Sequence, residues 1–327
     1  VRQIVDYANS QLMSFANGSQ SVSTMLWEPS LEAAVHVMQE DQDRETRNQN
    51  GEVVLPHWPW QSWANRIDPL EPGMLCTLAG GDGMGKTIYG ESLAEGWAKQ
   101  GFNVTFVHFE LNRRIMMRRR NARNTKMSLR SMRSEDKAAE ANKRLDQVTE
   151  GMQEWRGTVT YEHTPGWSMD AVIGQLRINH EKGLCDIAVI DYLEKAQPSR
   201  RQVKLFGQQA FQREADNVEQ IKSFAEAYEI PVTMLAQLNK ASKMNQGSKL
   251  DRTAMRGAGE KSEKSNLVIL IQRDKLGEGY SERVSVIVDK NTLGATGSFE
   301  QHMAPEFFSV SDVDSLTQTL EASKMFR

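Results

Sequence analysis

The 327-residue chain predicts an α/β fold: a mostly parallel central sheet with helices on both faces and a short helical segment in front of it. Three observations predict it. Several short runs are apolar at every position, as strands buried on both faces must be. These runs alternate with amphipathic stretches of helical period. One run, MLCTLAG, passes through the glycine-rich turn GGDGMGKT at residues 80–87 straight into a helical pattern.

The elements follow in order. Residues 1–50 are polar and weakly helical, a helix or two ending in the charged stretch QEDQDRETRNQNGE, and read as a linker. LPHWPWQSWANRIDPLEPG carries Trp58, Trp60 and Trp63; packing on the edge of the following domain is the expected role, and stacking on a base the alternative. From residue 74 the strands are MLCTLAG, NVTFVHFE, GTVTYEH, CDIAVIDYL, IPVTMLAQL, NLVILIQRD and RVSVIVDK. Helices are expected over 83–100, 111–126, 135–155, from Ser168 as N-cap, and over 206–228. The domain so bounded runs over 51–310, and 311–327 is a tail, helical or disordered. No internal repeat is visible.

Composition narrows the classes. Hydrophobic residues make up 39% and charged residues 25%, ordinary for a globular chain. No apolar run approaches the roughly 18–20 residues of a membrane helix. VRQIVDYANS has neither a signal-peptide pattern nor an initiator Met, so the chain reads as trimmed or as a fragment. The two cysteines, Cys76 and Cys185, lie in apolar runs and are expected as buried free thiols in a reducing, cytoplasmic setting. The net charge of −3 means that any nucleic-acid binding must come from local clusters.

GGDGMGKT carries the chemistry. Backbone N–H groups close around phosphate oxygens only where no Cβ intervenes, and Gly80, Gly81, Asp82, Gly83, Met84, Gly85, Lys86 and Thr87 form such a loop. Lys86 would reach the outer phosphates and the Thr87 hydroxyl would ligate Mg²⁺, while the helix beginning here points its positive end at the triphosphate. ATP and Mg²⁺ are the cofactors this implies. Asp191, closing IAVID, is the acid expected to hold the magnesium shell, and Glu110, closing VTFVHFE, the base that orients water. Gln237 ends VTMLAQL. An amide there either senses the terminal phosphate or satisfies nearby backbone.

These strand-end residues, in this order, resemble the RecA-like motor domain of DnaB-type replicative helicases, phage members included. VTFVHFELNRRIMMRR resembles the strand, catalytic Glu and following helix of that family, and IAVIDYLEKAQP its Walker B block. VTMLAQLNKASK resembles the strand with the sensor Gln, MRGAGEKSEKSNLVILIQRDK the Arg-x-x-Gly block, and RVSVIVDKNTLGATGSF the last block. The resemblance spans about residues 55–310. It implies a ring, usually hexameric, with ATP at subunit interfaces, single-stranded DNA in the channel and 5′–3′ unwinding. A primase or a helicase loader is a further implied partner, and residues 1–50 would be the linker that docks on the adjacent subunit. The family's usual N-terminal domain has no counterpart in this chain, which suggests a viral source and, with it, a bacterial host cytosol.

By the same resemblance Lys290 would reach into the neighbour's site, but Thr292 stands where the family has an arginine. Lys290 alone, Arg283 or Arg273 would have to replace it, or hydrolysis is slow; Arg273 is otherwise expected in an ion pair with nearby acids. Two other readings therefore stay open: a RecA- or RadA-like recombination ATPase, and an ATP-binding assembly or switch factor with slow turnover.

Three basic segments are candidates for DNA. In the loop 240–264, Lys240, Lys243 and Arg256 with Gly257 and Gly259 suit a phosphate backbone, with Lys249, Arg252, Lys261 and Lys264 around them. QPSRRQVK adds Arg200, Arg201 and Lys204. NRRIMMRRRNARNTKMSLRSMR contains no acid; Ile115, Met116 and Met117 are expected to bury one side and the arginines to form a solvated or intersubunit face, with DNA or partner binding as the alternative.

Overall fold

A computed structural model of the chain describes residues 31–50, 52, 54–191, 193–238 and 263–313, in two units that divide after Val54. The described part of the first unit is one helix, α1 (Leu31–Gln49), followed by a contact between Arg47 Nε and Glu52 Oε2 at 2.7 Å. Its polar sequence leaves Val35 and Met38 exposed. The expectations for residues 1–30 and for the tail beyond Val313 lie outside the described residues.

The second unit is built on one nine-stranded sheet. Its strands are β1 (Leu75–Gly80), β2 (Val104–His108), β3 (Val159–His163), β4 (Ile187–Asp191), β5 (Val232–Gln237), β6 (Leu267–Gln272), β9 (Arg283–Asn291), β10 (Gly297–Ala304) and β11 (Ser309–Asp312). A two-residue-per-arm hairpin, β7 (Lys275–Leu276) and β8 (Gly279–Tyr280), stands apart from it. The order β11-β10-β9-β6-β1-β5-β4-β2-β3 is parallel from β6 to β3 and antiparallel from β6 to β11. β1, β2 and β4 are buried at every position, as continuous apolar runs require when helices cover both faces. The chain leaves β1 for β2 on one side and β5 for β6 on the other, so the C-terminal end of β1 opens on a switch point, where such sheets bind ligands.

Helices α2 (Gln61–Ala64), α3 (Lys86–Gln100), α4 (Arg113–Thr125), α5 (Ala138–Gln153), α6 (Met169–Glu181), α7 (Arg200–Phe206) and α8 (Ala210–Tyr228) complete the unit. Ser168 caps α6 as expected, accepting from the Ala171 amide, and Asn112 caps α4 through the Ile115 amide. One face of the sheet buries Trp58, Trp63, Trp97, Tyr89 and Phe106, and the other packs under α6 and α8 with Met169, Leu176, Ile221 and Phe224.

The tryptophans pack, as expected, and offer no stacking platform: Trp63 is fully buried, with ring centroids 5.1 Å from Trp58 and 5.3 Å from Trp60. Other expectations change. QPSRRQVK is not a loop. Ser199 and Gln202 form a capping box that starts α7, and the turn at Gly207 (φ 54°, ψ −122°) ends it, so that the helix expected over 206–228 begins at Ala210 as α8. β10 was not foreseen, because its inward residues Phe299, Gln301 and Met303 include a fully buried amide that breaks the apolar alternation. The sheet also runs two residues past the expected boundary at 310, to Asp312.

Cys76 and Cys185 are buried free thiols, and burial pushes them up to about 12 and about 11. Among the described residues no helix is long and apolar enough to cross a membrane.

Candidate nucleotide-binding and catalytic site

The phosphate loop leaves the C-terminal end of β1 and enters α3 at Lys86. Gly83 (φ 74°) and Gly85 (φ 94°) take left-handed backbone angles that L side chains rarely adopt. A Cβ on Gly83 would stand 2.8 Å from the Tyr280 ring, and one on Gly85 would collide with the Met303 thioether. The loop is thus a cradle that the β7–β8 hairpin and β10 close from outside. Lys86 Nζ donates to the Gly80 and Gly81 carbonyls at 3.0 and 2.9 Å, which folds the ammonium back over the loop.

Thr87, next along α3, donates through Oγ1 to Asp191 Oδ2 at 2.8 Å. The hydroxyl expected to ligate the metal and the acid expected to hold its shell therefore touch. Asp191 is buried, and its Oδ1 has no hydrogen-bond partner among the described residues. A buried carboxylate oxygen left without a donor is costly; a metal-bound water would supply the missing donor. The residues present fit Mg²⁺, which keeps several waters and takes few protein ligands. Among the described residues no group of three His, Cys, Asp or Glu side chains forms a protein-only metal cage.

Glu110 lies just past β2, in the neighbouring strand position, as the parallel sheet predicts. Its carboxylate pairs with Lys195 at 2.5 Å, both side chains being half-exposed. Between Glu110 and Asp191 stands a residue that the sequence reading passed over. His108 is buried at the end of β2, opposite Asp191 in the ladder. Its Nδ1 accepts from the backbone N–H of Glu110 at 3.1 Å and of Leu111 at 3.2 Å, and its Nε2 is 3.0 Å from Asp191 Oδ2. Position was the available signal: a titratable residue two places before the expected base, in an otherwise apolar strand.

Gln237 is level with Gly80 across the ladder, and its side-chain amide donates to the Asp82 carboxylate. Its backbone N–H donates to Glu194 Oε1 at 3.0 Å. The expected sensor thus touches the phosphate loop itself.

Lys290 is not brought to this loop. Gly80 lies opposite Ile271, and Ile271 opposite Val286. Lys290 is four residues further along β9, about 13 Å toward the other edge of the sheet, and its Nζ donates to the Glu263 carbonyl at 2.9 Å. Thr292 lies at that same edge, its amide donating to Asn266 O at 3.0 Å. Arg273 and Arg283, by contrast, are at the loop's own edge. The ion pair expected for Arg273 gives way to carbonyls: it donates to Ser281 O at 2.6 Å, Gly83 O at 3.3 Å and Tyr280 O at 3.4 Å. Arg283 pairs with Glu300 at 3.4 Å.

The basic segments separate. Lys240, Lys243, Arg256, Gly257 and Gly259 lie outside the described residues. Arg201 is tied to Asp216 and Asp170, so α7 is knitted to its own neighbours. On α4 only Met116 of the apolar trio is buried; Ile115 and Met117 are exposed. The inward side of that helix is charged instead. Arg123 bonds Glu91 at 2.5 Å and Glu95 at 2.6 Å, and Arg119 lies 3.0 Å from Glu91. Burial raises the Glu91 carboxyl although Arg123 and Arg119 pull it down. Burial would lower Arg123, but Glu95 and Glu91 outweigh it and hold the guanidinium above its ordinary range. Three of the six arginines of α4, Arg119, Arg120 and Arg123, thus serve internal ion pairing, leaving Arg113, Arg114 and Arg118 on its outer face.

The family model of the DnaB-like helicase C-terminal domain matches residues 61–312. A solved structure of an isolated ATPase domain superposes with a TM-score of 0.73 at 16% identity, covering 88% of this chain and 100% of that one. A DnaB-like replicative helicase, solved with its interactions with primase, gives a TM-score of 0.73 at 17% identity over 96% of this chain and 75% of that chain. At such identities the likeness is one of fold, and the shared fold is the RecA-like ATPase core. No curated protein matches the chain.

Proposed function

From this chain, which belongs to the DnaB-like helicase C-terminal-domain family and is an ATP-driven replicative DNA helicase motor, we propose a mechanism in which each ATP site is shared by two copies around a ring. The observation that carries it is the separation of Lys290 from its own phosphate loop, about 13 Å along the sheet, with the loop, Thr87, Asp191 and Glu110 at one edge and Lys290 at the other. A hexamer is the ring the family resemblance favours. Gly80 to Thr87 cradle the triphosphate, with Lys86 on its outer phosphates. Thr87 and Asp191 would hold Mg²⁺, which supplies charge neutralisation on those phosphates when bound. Glu110 accepts the proton of the attacking water, and Lys290 of the adjacent copy offsets charge on the leaving phosphate.

Gln237 links the cycle to DNA. It touches Asp82 of the phosphate loop and leads directly into the 240–264 segment, whose Lys240, Lys243, Arg256, Gly257 and Gly259 we assign to the single strand. Translocation is 5′–3′, a primase is the expected partner, and the cytosol, a bacterial host's if the source is viral, is the place of action.

The test is ATP turnover with and without single-stranded DNA, beside unwinding of forked duplexes carrying either tail. Glu110→Gln is expected to bind ATP and lose turnover, Gln237→Ala to keep basal turnover and lose most DNA stimulation, and Arg256→Ala to lose stimulation through weaker DNA binding. Turnover indifferent to DNA, with neither fork opened, overturns the proposal.

A further inference from the structure

His108 has a connectivity that the catalytic roles assigned above leave unused. It is 3% exposed, its ring stacks on Phe106 at 5.9 Å and 29°, and its backbone carbonyl accepts from the Thr164 amide at 2.9 Å. The ring thus packs on its own strand, and the backbone beneath it is tied to the chain leaving β3. Both amides of the turn carrying Glu110 converge on its Nδ1, at 3.1 and 3.2 Å. An imidazole nitrogen that accepts two N–H groups carries no proton, so the ring proton is on Nε2. That nitrogen lies 3.0 Å from Asp191 Oδ2, the same oxygen that accepts from Thr87, a close polar contact that falls short of hydrogen-bond geometry. The neighbouring backbone repeats the tie, Phe109 N donating to Asp191 O at 3.1 Å.

We propose that His108 is a positioning residue with two separable duties: its Nδ1 fixes the turn that aims Glu110, and its Nε2 fixes the Asp191 carboxylate that faces the metal. This rests on the assignment of Glu110 as base and of Asp191 to the metal shell. Only a side chain with an acceptor at the δ position and a donor at the ε position serves both at once. Its amide neighbours make the role local. Without the δ acceptor the Glu110 and Leu111 amides lose their shared partner, and the carboxylate three bonds beyond the Glu110 Cα loses a fixed origin. Without the ε donor Asp191 keeps Thr87 but can rotate, and its unpartnered Oδ1 leaves the direction in which it now points.

Two conservative variants separate the duties. Asn places an oxygen where Nδ1 is and nothing at ε; Gln places a donor near ε and nothing at δ. Amide hydrogen exchange of Glu110 and Leu111 in the nucleotide-free protein is read beside turnover at saturating ATP and the Mg²⁺ concentration for half-maximal nucleotide binding. His108→Gln is expected to lose protection at those two amides and about tenfold in kcat, with the Mg²⁺ requirement kept. His108→Asn is expected to keep protection and turnover while the Mg²⁺ requirement rises about tenfold; changes of this order are usual for groups that orient metal ligands and catalytic side chains. Exchange at Thr105 and Val107 within β2 reports the fold. Parallel loss of turnover, Mg²⁺ affinity and β2 protection in both variants would mean a purely structural histidine and overturns the proposal, as does native protection at Glu110 in His108→Gln. Glu110→Gln runs alongside: if it retains turnover the base assignment fails, while the exchange result still decides whether His108 holds the turn.

Discussion

Arg273 Nη1 donates to the carbonyl of Gly83 at 3.3 Å, so a guanidinium at the end of β6 holds the phosphate loop that leaves β1. The same fork takes the Ser281 and Tyr280 carbonyls, and the Tyr280 ring lies 5.7 Å from it and against Gly83. The β7–β8 hairpin is thereby a flap pinned over the loop. Arg273→Met should weaken nucleotide binding about tenfold, the equivalent of one charged hydrogen bond at about 1.4 kcal/mol, with turnover at saturating ATP near native. Fluorescent-nucleotide titration and steady-state kinetics check this. Lost turnover with unchanged affinity would instead give Arg273 the charge-stabilising role that Thr292 cannot fill.

Gly85 combines a left-handed φ of 94° with no room for a Cβ beside Met303. Gly85→Ala should abolish measurable ATP binding, since the backbone conformation alone costs about 1–2 kcal/mol and the side chain displaces Met303 from the core. Adding Met303→Ala opens the space but leaves the dihedral strain. Isothermal titration of the double variant should therefore recover only part of the affinity.

Arg123 is the common partner of two buried carboxylates. Arg123→Met keeps the aliphatic stem and removes the charge, which should cost about 3 kcal/mol, the lower end for a broken buried pair because Arg119 still faces Glu91. The pH dependence has a definite sign. A carboxyl whose folded pKa is raised binds its proton more tightly folded than unfolded, so its contribution falls as pH rises from the unfolded value through the folded one. Glu91 is raised already, by burial, and losing Arg123 raises it further. The gap in Tm between native protein and variant should be smaller at pH 5 than at pH 8, measured by calorimetry.

Gln301 Oε1 accepts from Trp63 Nε1 at 2.7 Å and from Tyr89 Oη at 3.0 Å, all three residues fully buried. This amide fastens the tryptophan segment to the antiparallel side of the sheet. Gln301→Leu orphans two donors and should destabilise by about 2–4 kcal/mol. Removing one orphan with Tyr89→Phe should make the double variant more stable than Gln301→Leu alone in urea denaturation.

The parallel half of the fold was legible because its inner strands are buried on both faces and so are written as largely apolar runs; β1, β2, β4 and β5 each end where a site residue begins. The antiparallel extension was half hidden. β10 buries Gln301, an amide satisfied by two distant donors, and no local pattern announces such a partner. The same holds for α4, whose arginines look like a solvent face until Glu91 and Glu95 of α3 are set opposite them. For the site, the positions of the loop, Asp191 and Glu110 could be read from strand ends. His108 could not, since its role depends on which amides and which carboxylate surround it in space.

The position of Lys290 has a consequence for populations of mixed molecules. In the shared-site arrangement proposed above, a subunit with Lys86→Ala would spoil only the interface that uses its own loop, and a subunit with Lys290→Ala only the one it completes for a neighbour. Two preparations, each inert alone, would on blending regenerate intact interfaces wherever a Lys290→Ala loop meets a Lys86→Ala neighbour. Complementation between two dead alleles, in a single gene, is what a site divided across opposite edges of one sheet makes available.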